Sequence, residues 1–152
     1  MTATPATPTK NESEIQALLT SWFAAIERKD IDAIMAGRSE DLVAFDVPKP
    51  FQFKSAADYR AHWLNCLGQM QGSWAFSTRE VRITAGEDVA FCHLIMNVKG
   101  NMPDGSPMDC DARTTLGFKK VDGAWTVTHE HHSVPMDCPG ADAEKSCDQA
   151  KS

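Results

Sequence analysis

The chain has 152 residues, 42% hydrophobic and 24% charged, with a formal net charge of 15 − 21 = −6. A chain of this size reads as one soluble domain. It buries roughly 70% of its unfolded surface without a disulfide or metal staple, and it is too short for two cored domains. The acidic balance and scattered basic residues argue against non-specific nucleic-acid binding, and no apolar run approaches the ~20 residues of a membrane helix.

The opening stretch, Met1 to Lys10, is rich in Thr, Pro and Ala and lacks the apolar core of a signal peptide. The expectation is a disordered head (residues 1–11) on a cytoplasmic protein. Ile15, Leu18, Leu19, Trp22, Phe23 and Ile26 recur at helical spacing, and Ser13 with Gln16 makes a capping box. The spacing predicts a helix from about Glu12 to Arg28. Asp30 caps a shorter helix through Ile31, Ile34 and Met35. Leu42 to Val47 reads as a strand stopped by Pro48 and Pro50, and Phe51 to Phe53 as another short one. Ser55 with Asp58 caps a third helix, whose stripe is Tyr59, Trp63, Cys66, Leu67 and Met70.

Four long strand-like runs follow: Trp74 to Thr84, Val89 to Lys99, Met108 to Lys120 and Trp125 to Val134. Short turn signals separate them, which makes them antiparallel neighbours. Helices first and a strand meander after give an α+β fold, a curved antiparallel sheet packed on N-terminal helices. The domain spans residues 12–137, and a tail of residues 138–152 closes the chain.

Five cysteines without an export signal favour reduced thiols. Cys66, Cys92 and Cys110 read as buried packing residues. Cys138 and Cys147 in the tail read as exposed thiols, with a loop-closing disulfide as the alternative.

Alternation along the strands sorts side chains onto two faces. One face carries His93, Ile95, Asn97, Arg113, Thr115, Thr128, Glu130 and His132. The other carries Ala90, Cys92, Leu94, Met96, Val98, Cys110, Ala112, Thr114, Leu116 and Phe118. A face so continuously apolar cannot meet water. The expectation is that the mixed face lines a pocket under the helices while the apolar face meets a second copy in a homodimer. A bulge near the turn at Val121-Asp122-Gly123 would exchange Glu130 and His132 for His129 and His131.

The stretch Trp22-Phe23-Ala24-Ala25-Ile26 to Lys29-Asp30-Ile31-Asp32-Ala33-Ile34 resembles the opening helices of the SnoaL-like family. Asp88-Val89-Ala90-Phe91, Phe118 to Trp125 and His129-Glu130-His131-His132-Ser133 are similar to its later segments. The family belongs to the nuclear transport factor 2-like, ketosteroid isomerase-like superfamily. The resemblance implies a cone-shaped, cystatin-like sheet and an apolar pocket, on a fold that hosts isomerases, cyclases, dehydratases, hydrolases and non-enzymes. Compared with ketosteroid isomerase, Phe45-Asp46-Val47-Pro48 matches the place of the general base, so Asp46 is the candidate base. The oxyanion-hole positions correspond to Trp22 and about Thr115, neither of which is a comparable acid, which argues against steroid isomerisation.

Asp46 can abstract a proton next to a carbonyl or activate water, or else pair with Arg113 inside the cone. His93, Arg113 and His132 are its candidate catalytic partners. Trp22, Trp63, Ile95, Asn97, Thr115, Thr128 and Glu130 are the candidate ligand contacts. The expected ligand is an apolar small molecule, with no organic cofactor and no metal. A non-catalytic binding or association module is the alternative. A metal-dependent enzyme built on His129, His131 and His132 is a second one. No nucleotide-binding or nucleophile-elbow motif is present.

Overall fold

The computed structural model describes residues 6–137. Three helices precede or interrupt a five-stranded sheet. They are α1 (Lys10–Glu27), α2 (Ile31–Met35) and α3 (Ala56–Gln69). The strands are β1 (Arg38–Phe45), β2 (Gln71–Ala85), β3 (Val89–Asn101), β4 (Pro107–Val121) and β5 (Ala124–Ser133).

Helix α1 starts earlier than its apolar stripe suggests. The Thr9 hydroxyl accepts from the Glu12 N–H at 3.2 Å and the Glu12 carboxylate accepts from the Thr9 N–H at 2.8 Å. The same pattern occurs again at Ser13 and Gln16, but the first copy closes the box. Lys10 and Asn11 therefore belong to the helix rather than the head. Asp30 and Ser55 cap α2 and α3 as their sequences predict, accepting from Ala33 N–H and Asp58 N–H. Phe53 makes only an isolated bridge to Ala44, so the expected short strand at Phe51 to Phe53 does not form.

The strand order is β1-β5-β4-β3-β2. The four long strands are antiparallel neighbours, as their short turns require. β1 pairs in parallel with β5, with the remaining elements as its crossover. This long-range pairing carries no local sequence signal.

The sheet face under the helices is the apolar one. Ala90, Cys92, Leu94, Leu116, Phe118, Trp125 and Val127 form one core with Ile15, Leu19, Trp22, Ile26, Ile34 and Tyr59. The expected orientation is thus inverted. Helices α1 and α3 supply the cover that the apolar face needs, so no second subunit is required to keep it dry. The mixed face points outward and carries a polar ladder. Arg79 forks onto Asp111 at 3.1 and 2.7 Å, Asn97 donates to Asp109 and Asp111 at 2.8 and 2.9 Å, and Lys99 lies 3.2 Å from Asp109.

A register shift between Gly117 and Phe118 of β4, opposite the stretch from Val127 to His129 of β5, changes the strand parity. Trp125 and Val127 point inward before it, and Glu130 and His132 point inward after it. No helix among the described residues is long and apolar enough to cross a membrane.

Candidate functional site

Between α3, the end of β1 and the far ends of β3 and β4 lies a cavity of about 260 Å³. Its wall is dominated by apolar and soft side chains, among them Trp22, Trp63, Trp74, Phe76 and Val98. Four methionines, Met70, Met96, Met102 and Met108, complete much of the surface. Among the described residues Asp46 is the only carboxylate in this lining.

The strand β1 ends at Phe45, and Asp46 follows it at the cavity wall. Its carboxylate is held from three directions. The Val47 N–H donates to Oδ1 at 2.7 Å, the Tyr59 hydroxyl donates to Oδ2 at 2.9 Å, and His62 Nε2 lies 3.3 Å from Oδ2. The His62 and Asp46 side chains are 8% and 15% exposed, so the pair is largely shielded but faces the cavity. Tyr59, His62 and Cys66 follow one another at helical spacing on α3, which brings all three to one face. Cys66 Sγ lies 3.6 Å from the same His62 nitrogen. Burial, then the Asp46 charge, pushes the Cys66 thiol up to about 11, so it is neutral near pH 7. Burial also drives the Tyr59 phenol well above its usual value, reinforced by the charges of Glu130 and Asp46. Tyr59 is therefore a hydrogen-bond donor, not an acid to be lost at ordinary pH.

A second polar layer lies deeper. The Arg38 guanidinium meets the Glu130 carboxylate at 2.5 Å, both fully shielded. His132 Nε2 lies 3.3 Å from Glu130 Oε2, and its Nδ1 lies 2.9 Å from the Thr114 hydroxyl. Burial pushes the Glu130 carboxyl up, but the Arg38 charge and then His132 outweigh it, and the net displacement is downward. The Trp22 ring covers this layer, with the Arg38 guanidinium 5.0 Å and the His132 ring 6.0 Å from its own. His132 reaches the cavity wall, pinned at both nitrogens.

The sequence pattern of the SnoaL-like domain family matches residues 15–137. This chain belongs to that family. An NTF2-like protein of unknown function from Pseudomonas putida KT2440 is 34% identical, with 87% of this chain and 92% of that chain covered and a TM-score of 0.79. A ketosteroid isomerase-like protein from Erwinia carotovora atroseptica SCRI1043 is 18% identical, with 84% and 100% covered and a TM-score of 0.72. An uncharacterized protein with a cystatin-like fold from Caulobacter vibrioides is 16% identical, with 95% and 100% covered and a TM-score of 0.72. The last two likenesses establish the NTF2-like, cystatin-like fold alone. No match to the chain is found among curated proteins.

In this SnoaL-like domain, Asp46, Trp22, Trp63 and His132 stand at the cavity, and Glu130 lies directly behind His132. His93, Ile95, Asn97, Arg113 and Thr115 do not enter it. They lie on the outer face, because the apolar face took the helices. Arg113 donates to Ser133 at 3.2 Å and makes no pair with Asp46. Thr128 sits at the bulge, its hydroxyl 3.5 Å from the Gly117 carbonyl. The three C-terminal histidines are divided between the faces. His129 bonds the Val43 carbonyl at 2.8 Å and His131 packs on Phe45, away from His132. Among the described residues no three His, Cys, Asp or Glu side chains gather to hold a metal ion.

Three participants escaped sequence reasoning. His62 was readable as part of the α3 stripe, at the third position after Tyr59 and the fourth before Cys66. Tyr59 was in that stripe, but its bond to Asp46 depends on how α3 docks against the end of β1. Arg38 had no signal, because its partner Glu130 is 92 positions away and is reached only through the parallel β1–β5 pairing. The tail cysteines, Cys138 and Cys147, lie outside the described residues.

Proposed function

We propose that the chain binds an apolar small molecule in this cavity and moves a proton on it with Asp46 as base. One observation carries the reading: a single carboxylate among the described residues lines this largely apolar cavity, held by the Val47 N–H and the Tyr59 hydroxyl with the His62 ring nitrogen 3.3 Å away. A carboxylate so held is preorganised, so little reorganisation is needed when a substrate C–H or a water arrives. His62, whose Nε2 lies 3.3 Å from Asp46 Oδ2, can return a proton to the product. His132, pinned by Glu130 and Thr114, offers a second polar contact at a fixed point of the wall. The reaction class that suits these parts is proton transfer next to a carbonyl, or water addition or loss, without an organic cofactor.

Mass spectrometry of small molecules that co-purify with the protein names the ligand class. Deuterium exchange next to the carbonyl of that ligand, or of simple apolar ketones, then tests the base. Asp46→Asn should lower the rate by about 10²–10⁴ while leaving ligand binding. An unchanged rate removes Asp46 as base. Binding with no exchange or hydration in wild type favours the non-catalytic binding module instead.

The outer face is proposed as the contact with a second copy. Val89 and Phe91 stay about half exposed on that face, toward the opposite end of β3 from the polar ladder. Sedimentation that returns only monomer across a concentration series removes the dimer.

A further inference from the structure

Behind Trp22 lies a second, smaller compartment of about 100 Å³. Its wall is mostly apolar, chiefly Leu19, Leu116, Phe118 and Val127, with Ser21 and Arg38 also bordering it, and exposed Leu18 and Ala36 stand at its edge. Trp22 lines both this compartment and the main cavity.

The two spaces follow one another along the sheet. On the inward face of β4, Cys110 and Ala112 border the main cavity, Thr114 comes next, and Leu116 and Phe118 border the smaller one. On β5 the same order runs from His132 through Glu130 to Val127. The Thr114, Glu130 and Arg38 layer is thus the floor between them, and the Trp22 ring is the partition standing on it. The Trp22 indole N–H has no hydrogen-bond partner among the described residues. The ring is held by stacking and packing alone, with no polar bond fixing its orientation.

We propose that the second compartment is a blocked extension of the ligand site and that Trp22 sets the length of apolar ligand the cavity accepts. The ligand class is an elongated apolar molecule whose far end stops against the Trp22 ring. This rests on the reading of the main cavity as a ligand site. The floor beneath Trp22 is an ion pair already matched and shielded, so a smaller apolar residue in place of Trp22 opens a path for a hydrocarbon chain. The chain can pass over the pair without breaking it.

Calorimetric titration of the full chain with straight-chain methyl ketones of increasing length tests this. In wild type, binding should tighten about fourfold per added methylene until the cavity is full, and then gain nothing. Trp22→Leu should carry that fourfold gain on to longer members of the series. Trp22→Phe, which keeps an aromatic ring over Arg38 and is the milder change, should extend the limit less. Adding Ala36→Leu, which narrows only the second compartment, should bring the limit of Trp22→Leu back toward wild type. Alone, Ala36→Leu should leave the wild-type limit where it is. A limit that does not move in folded Trp22→Leu or Trp22→Phe overturns the partition and leaves the main ligand site standing. A wild-type protein that binds no member of the series overturns the ligand site itself, and the partition with it.

Discussion

Arg38 and Glu130 meet at 2.5 Å with side chains 3% and 0% exposed, the most shielded ion pair among the described residues. Their attraction repays the desolvation of both charges only while both are present. Arg38→Met should therefore destabilise the fold by about 3–5 kcal/mol, whereas Arg38→Met with Glu130→Leu should recover most of that loss. Urea denaturation of the single and double variants checks both. If the double variant is no more stable than the single one, the cost is not an uncompensated charge.

The same pair contributes to stability against acid. The Glu130 carboxyl is lower in the folded chain than its ordinary value of 4.5, so the unfolded chain binds more protons in the window just below that value. Stability from this group is complete above about 4.5 and is lost as pH falls through the lowered folded value. Glu130→Gln should be less stable at neutral pH and should show a shallower loss on acidification. Thermal melts between neutral and acid pH, compared for the two proteins, provide the measurement.

Tyr59 is the only tyrosine in the chain, so tyrosinate absorbance reports on it alone. Burial and the nearby Glu130 and Asp46 charges hold its phenol well above 10.0. The folded chain keeps this proton where the unfolded chain gives it up, so stability falls as pH rises past about 10. Tyrosinate should appear together with loss of near-ultraviolet circular dichroism. Ionisation that comes first, with the fold intact, would contradict the buried Tyr59–Asp46 bond.

Cys66 and Cys92 should resist alkylation in the native protein, because burial first of all pushes their thiols up to about 11 and about 12. The Asp46 charge adds to the displacement at Cys66, and the charge of Glu130 at Cys92. Asp46→Asn should thus speed iodoacetamide labelling of Cys66 and leave Cys92 unchanged. Peptide mass spectrometry separates the two sites.

Gly100 faces Trp74 so closely that a Cβ there would fall inside the indole ring's contact distance. Trp74 is a wall of the main cavity, tied at 3.1 Å to the Gln71 carbonyl. Gly100→Ala should displace that ring, destabilise the fold by about 1–3 kcal/mol and weaken binding of apolar ketones. Tryptophan fluorescence and the same calorimetric series would register the shift.

Local patterns in the chain suffice for the three helices, the four long strands after them, the caps at Asp30 and Ser55 and the family, but they put Asp46 inside a strand that ends at Phe45 and add a strand at Phe51 to Phe53 that does not form. These patterns are helical spacing, alternation, turn residues and short motifs. Which sheet face is covered depends on how the helices pack. Alternation sorts His93 from Cys92 and Arg113 from Ala112, but it does not say which set meets α1 and α3. Burial of apolar area settles that, and it sent His93, Ile95, Asn97, Arg113 and Thr115 outward. Glu130 and His132 point inward all the same, because the register shift opposite Gly117 reverses parity within β5 and cancels the inversion for those two residues. The partners of the site, Tyr59 and His62 on Asp46 and Arg38 on Glu130, come from elements distant in the chain. Their meeting depends on helix docking and a parallel strand pair, for which no short stretch of sequence carries a signal.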